Sequence, residues 1–130
     1  MAALDRTFAR AVIDATVGTT ALTAVTTPIK CRLYTTSGTA NAAGTEVTSG
    51  SYASQTVTFT ASTNADPPVG VSSVLASFTG MPACTVVAVG LYDSYSTPRR
   101  LWFGDLAASK VLNAGDTFQI ASGSLTVSLA

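Results

Sequence analysis

Residues 101–129 read LWFGDLAASKVLNAGDTFQIASGSLTVSL. Leu101 to Leu106 carries the sole tryptophan, Trp102, beside Phe103. Asn113-Ala114-Gly115-Asp116 follows as a turn, because Asn and Gly accept the left-handed backbone that closes a hairpin. Thr117 to Ile120 places Phe118 and Ile120 on one face. Ser122-Gly123-Ser124 turns again, and Leu125, Val127 and Leu129 then alternate with Thr126 and Ser128. A period of two is the signature of a strand with one buried face. The stretch predicts a three-stranded C-terminal meander over residues 101–129, with the rest of the chain packed against it.

Working outward, the same period recurs. TVVAVGLY, Thr85 to Tyr92, is the most continuously apolar run and is expected as a central strand covered on both faces. Gly90 inside it marks a bulge or a close approach of another backbone. Arg99-Arg100 leads from the Asp93–Pro98 turn into the C-terminal stretch. Ile29, Cys31 and Leu33 alternate with Lys30, Arg32 and Tyr34, and Val57 and Phe59 alternate with threonines. Val74, Ala76 and Phe78 share a face of a more irregular strand. Ser37 to Gly50 is a long exposed connection with a short strand at Glu46-Val47. The one helical pattern is residues 2–17, where Leu4, Phe8 and Val12 recur at i, i+4 and i+8 and Gly18 supplies the stop. Arg6, Arg10 and Asp14 form a wet ridge on that helix. Short strands at spacings near ten residues predict a mainly β chain, an antiparallel β-sandwich or barrel with one N-terminal α-helix, and a single domain over residues 1–130.

Composition narrows the function. Of 130 residues, 47% are hydrophobic and only 11% charged, against about 25% charged in ordinary soluble domains. Seven basic and seven acidic side chains cancel. That balance opposes a nucleic-acid partner, which requires a concentrated basic patch. It also leaves little repulsion between copies, which suits a protein that works inside an assembly. No apolar run is long enough to cross a bilayer, so no membrane partner is expected. Asp5, Arg6, Arg10 and Asp14 interrupt any signal-peptide core. Cys31 and Cys84 are expected as two buried thiols rather than a disulfide.

A search for chemistry finds no catalytic, cofactor-binding or metal-binding set. Without histidine there is no His-based triad and no ordinary zinc site. Asp66, Asp93, Asp105 and Asp116 neighbour turn residues and are expected to cap turns; no D-x-D-x-D calcium loop exists. Arg99 and Arg100, with Tyr92, Tyr95 and Trp102 nearby, form the one basic and aromatic cluster, either a solvated strand edge or a partner contact.

An N-terminal helix followed by GTTALTAVTTPIKCRLYTT, GTEVTSGSYASQTVTF, VVAVGLYDS and the C-terminal stretch resembles a group of small tailed-bacteriophage virion proteins, labelled variously as tail-fibre-like, minor tail, or minor capsid and decoration proteins. The chain departs from that pattern at Cys31, Arg32 and the Asp66-Pro67-Pro68 loop. The resemblance implies a non-enzymatic structural protein on the outer surface of the virion, assembled in the host cytoplasm, and it transfers no catalytic residue. The leading expectation is a capsid decoration protein that binds the major capsid protein lattice or other virion proteins as a homo-oligomer, a trimer at three-fold positions being a natural solution. Leu4, Phe8, Val12, Arg99, Arg100 and Trp102 are its candidate interface residues, with the helix or the Ser37–Gly50 loop supplying the contact. Two alternatives stand beside it: a tail-fibre or tail-tip component, and a carbohydrate-binding module using Trp102, Tyr92 and Tyr95.

Overall fold

The computed structural model describes residues 3–128. In chain order the elements are β1 (Ala3–Leu4), α1 (Arg6–Thr16), β2 (Ile29–Tyr34), β3 (Gln55–Val57), β4 (Val69–Val71), β5 (Ala76–Phe78), β6 (Cys84–Tyr92), β7 (Arg100–Leu112), β8 (Phe118–Ile120) and β9 (Thr126–Ser128). The main sheet is antiparallel with order β1-β7-β6-β2-β3, and two smaller antiparallel pairs, β4-β9 and β5-β8, complete the fold. The sheet keeps two open edges, β1 and β3, so the architecture is a β-sandwich and not a closed barrel.

The apolar run Thr85–Tyr92 lies in β6, at the centre of the main sheet as its composition requires. Its alternation is reset once. Val86, Val89 and Leu91 face the main core, whereas Ala88 and Tyr92 face the opposite side with Val87 packed beside them. The reset coincides with an irregularity between Val86 and Ala88, where Val87 stands against Leu106–Ser109 of β7. An unequal number of residues on the two strands changes which side each following residue points to.

The main core joins Cys31, Leu33, Val57, Val86, Val89 and Leu91 of the sheet to Ala76, Phe78, Phe118 and Ile120 of the β5-β8 pair. Phe78 stacks on Tyr52 at 6.1 Å and meets Phe118 edge-on at 6.1 Å, the offset and T-shaped geometries that ring quadrupoles favour. Burial disfavours the thiolate of Cys31 and pushes its pKa up to about 12. Both cysteines are free; Cys84 is only half-buried. On the other face, Tyr34 alternates with the core residues of β2 yet is itself buried, and its hydroxyl lies 2.5 Å from that of Tyr92. The Arg32 guanidinium covers the Tyr92 ring at 4.0 Å. Gly90 allows this packing: a Cβ there would stand 2.9 Å from Tyr34 Cε2 and 3.2 Å from Tyr92 Cε1. The close neighbours are tyrosine rings rather than another backbone.

Several expectations are corrected. The C-terminal stretch is not a meander. Its strands are present, but β7 pairs with β6 and β1, β8 with β5, and β9 with β4. The Asn113–Asp116 turn forms, with the Asp116 carboxylate accepting from Asn113 N at 2.8 Å, yet it carries the chain across to the other layer instead of closing a hairpin. Residues 69–78 split into two strands, and Val74 is exposed while Ala76 and Phe78 are buried. The helix begins at Arg6, so Leu4 belongs to a strand; Ala2 and Leu129 lie outside the described residues. Asp105 sits within β7 and caps no turn. The short strand expected at Glu46-Val47 is a single bridge from Glu46 to Tyr34.

Candidate interface surface

Asp5 organises the N-terminal corner. Its backbone ends β1, and its carboxylate accepts from Thr7 N at 2.9 Å, which makes it the N-cap of α1. Its other carboxylate oxygen pairs with Arg100, 2.9 Å from Nε and 2.7 Å from Nη2. Arg100 is buried, and its remaining donors go to the carbonyls of Ala42 at 3.2 Å and Thr39 at 2.6 Å. The guanidinium also lies 4.5 Å from the Phe103 ring centroid. One side chain thus ties the helix cap, the Ser37–Gly50 connection and β7 together. Arg6 N adds a 2.7 Å bond to Ala40 O, so the two segments expected to supply a contact adjoin each other.

Arg99 is held in a similar way, by Asp93. Asp93 is buried and accepts from Arg99 N and Nε, each at 2.8 Å, from Arg99 Nη2, and from Tyr95 N at 3.4 Å. Burial alone would raise the Asp93 pKa; the bonds from Arg99 and Tyr95 outweigh it and hold the carboxyl below its ordinary value. Arg99 Nη2 also reaches Ala24 O at 3.0 Å, and its guanidinium stacks 4.7 Å from the Tyr95 ring.

The structure brings most of the expected interface residues to one corner. Leu4 stands directly opposite Trp102 across the β1–β7 pair, and both are half-buried. Phe8, Arg99 and Arg100 line a 270 Å³ pocket between α1 and the start of β7. Phe8 and Val12 are half-buried, and no residue of α1 is fully buried. Their docking therefore contributes less than the roughly 1.5–3 kcal/mol per side chain of complete burial. Neither arginine stands as a free charge: Arg100 binds internal acceptors and Arg99 is clasped by Asp93. Tyr92 is buried while Tyr95 is exposed, so Tyr92, Tyr95 and Trp102 do not present one open aromatic face. Among the described residues no group of three or more His, Cys, Asp or Glu converges to hold a metal ion, and no helix is long and apolar enough to cross a membrane.

Sequence reasoning missed Asp5 as a partner of Arg100. The capping half was visible, an Asp immediately before a helical pattern; the pairing spans 95 positions and left no local signal. It also missed the exposed apolar residues Ile13, Val17, Leu22 and Val25, which follow one another along the helix and the segment after it.

Neither the curated proteins nor the solved structures offer a match to this chain. A family described as "Podophage GP4 fiber I protein gp80" matches residues 3–128. This span takes in every element of the fold, from β1 to β9. The chain therefore belongs to that family of phage structural proteins.

Proposed function

We propose that this chain is a non-enzymatic structural subunit of a podophage fibre, exposed on the outside of the virion. The observation that carries the reading is the family match across residues 3–128, whose description names a fibre protein. The capsid-decoration expectation gives way to this alternative, because that description favours a fibre and no feature of the fold favours the shell. Residues 1–130 act as one sandwich domain, and its mechanism is adhesive: surface buried against copies of itself and against neighbouring virion proteins. The corner built by Leu4, Phe8, Arg99, Arg100 and Trp102 supports the contact, with Val12 one turn further along α1 and the two arginines bracing the corner. Nothing in the site assigns a catalytic step.

Immunogold labelling of intact particles tests the placement. Gold on fibres supports the proposal; gold spread evenly over heads rejects it in favour of the shell. Copies per particle give a second reading, since a shell component runs to hundreds and a fibre component to far fewer.

A further inference from the structure

The solvent side of α1 is a stripe of Arg6, Arg10, Ile13 and Val17, spaced at i, i+4, i+7 and i+11, and all four are exposed. Ile13 and Val17 retain 58% and 67% of their accessible surface. Leu22 and Val25 extend the apolar surface beyond the helix, and Leu22 walls a groove of about 340 Å³ that Arg10 and Asp14 also line. Among the described residues the ion pairs are Arg32–Glu46, Arg99–Asp93 and Arg100–Asp5, so Arg6, Arg10 and Asp14 take part in none of them.

The charge along the helix is also unbalanced. The Asp5 cap supplies an anion at the helix start, but the last turn contains no basic residue, although the helix dipole favours a cation at that end. The basic side chains sit in the amino-terminal half and Asp14 in the carboxyl-terminal half. An 11-residue helix with no fully buried side chain is marginal by itself.

We propose that this stripe is a twofold contact with a second copy of the chain, the two α1 helices lying antiparallel. Centred between Ala11 and Val12, the pairing sets Arg10 opposite Ile13 of the second copy and Arg6 opposite its Val17. The arginine stems cover the apolar side chains while their charged heads remain wet. The Arg10 guanidinium then reaches Asp14 of the second copy, and Arg6 lies at the carboxyl end of the other helix, which lacks a cation of its own. Each contact occurs twice by symmetry, as an isologous interface requires. A parallel pair would instead set arginine against arginine. The inference narrows the self-association within the proposed fibre role and rests on that role.

Sedimentation equilibrium of the full chain over a concentration series reads the result. The wild type is a reversible dimer. Arg10→Asp and Asp14→Arg each weaken it about tenfold or more, since each removes two symmetric pairs and adds like-charge contacts. The double exchange R10D/D14R recovers it to within about threefold, because both pairs re-form with their signs reversed. Ile13→Asp abolishes it. All positions lie on the helix surface, so melting temperatures stay within about 2 °C of wild type and loss of fold does not mimic loss of pairing. A wild type that stays monomeric, or a dimer or trimer indifferent to both single reversals, overturns the pairing. Failure of the double exchange to recover association also overturns it. A monomer that still labels on fibres removes the twofold contact and leaves the fibre role intact.

Discussion

Replacing Arg100 by alanine tests whether one guanidinium holds the N-terminal corner. The substitution takes the charged donor from three acceptors, the Asp5 carboxylate and the carbonyls of Thr39 and Ala42, while the two carbonyls keep each other's N–H at 2.8 and 3.3 Å. Breaking a buried ion pair by removing one partner costs about 3–5 kcal/mol. The Asp5 side chain keeps 15% of its surface and retains Thr7 N as a donor, so water relieves part of the loss. The lower end, about 3 kcal/mol, is the expected change. At about 2.1 cal/mol/K per residue, unfolding 130 residues carries an entropy of about 0.27 kcal/mol/K, so the melting temperature falls by about 11 °C. Urea unfolding followed by Trp102 fluorescence is the appropriate assay. Trp102 lies opposite Leu4 and reports on the corner, and urea, unlike guanidinium salts, does not screen the pair. Lys110→Ala, at an exposed position in none of the ion pairs, serves as the control and shifts stability by less than about 0.5 kcal/mol. An Arg100→Ala protein within about 0.5 kcal/mol of wild type would refute the bracing role. So would a D5A/R100A double variant whose loss is the sum of the two singles, because groups in one network are not additive.

Three further outcomes follow from the fold. Gly90→Ala drives a methyl against Tyr34 and Tyr92, and thermal melting should show a loss of about 1–3 kcal/mol. Asp93 has a folded pKa below its ordinary 3.8, so the unfolded chain binds more protons as pH falls; stability from this group is present above about pH 4 and is lost as pH drops through the folded value. Asp93→Asn should be less stable at neutral pH and show a shallower acid limb in pH-dependent melting; an unchanged limb would sink the assignment. A thiol reagent at pH 8 should label Cys84 first. Cys31, with its pKa near 12 rather than 9.0, exposes about a thousandfold less thiolate and should react only in urea. Equal labelling of both in the native protein contradicts that burial.

The elements were legible where the period of two was unbroken. β2 and the Phe118–Ile120 strand follow from alternation alone, because side-chain direction on a strand is a local property; β6 follows from its continuous apolar run. Pairing was not legible. Turn residues at Asn113–Asp116 announce a reversal without saying whether the next strand joins the same sheet, and here it crosses to the other layer. The helix pattern was sound from Phe8 to Ala15, but Leu4 fits that stripe equally well and is drawn instead into pairing with Trp102. For the interface corner, residue types were readable and their states were not. Arg99 and Arg100 look alike in the sequence, yet what decides them is distant: buried Asp93 for one, and Asp5 with the Thr39 and Ala42 carbonyls for the other.

The irregularity that sets Val87 against Leu106–Ser109 has a kinetic consequence. With a second irregularity between Leu91 and Tyr92, it leaves two regular ladders in series, Ala88–Leu91 with Trp102–Asp105 nearer the turn, and Cys84–Val86 with Lys110–Leu112 beyond. The outer segment is short, with Thr85 and Val111 open to water, whereas the inner one is sealed beneath Tyr34 and Tyr92. Fraying that begins at the far end is arrested at the interruption. Amide deuteration along these strands should fall into two plateaus separated by a step, the outer three pairs exchanging by local opening and the inner four only with the sandwich as a whole.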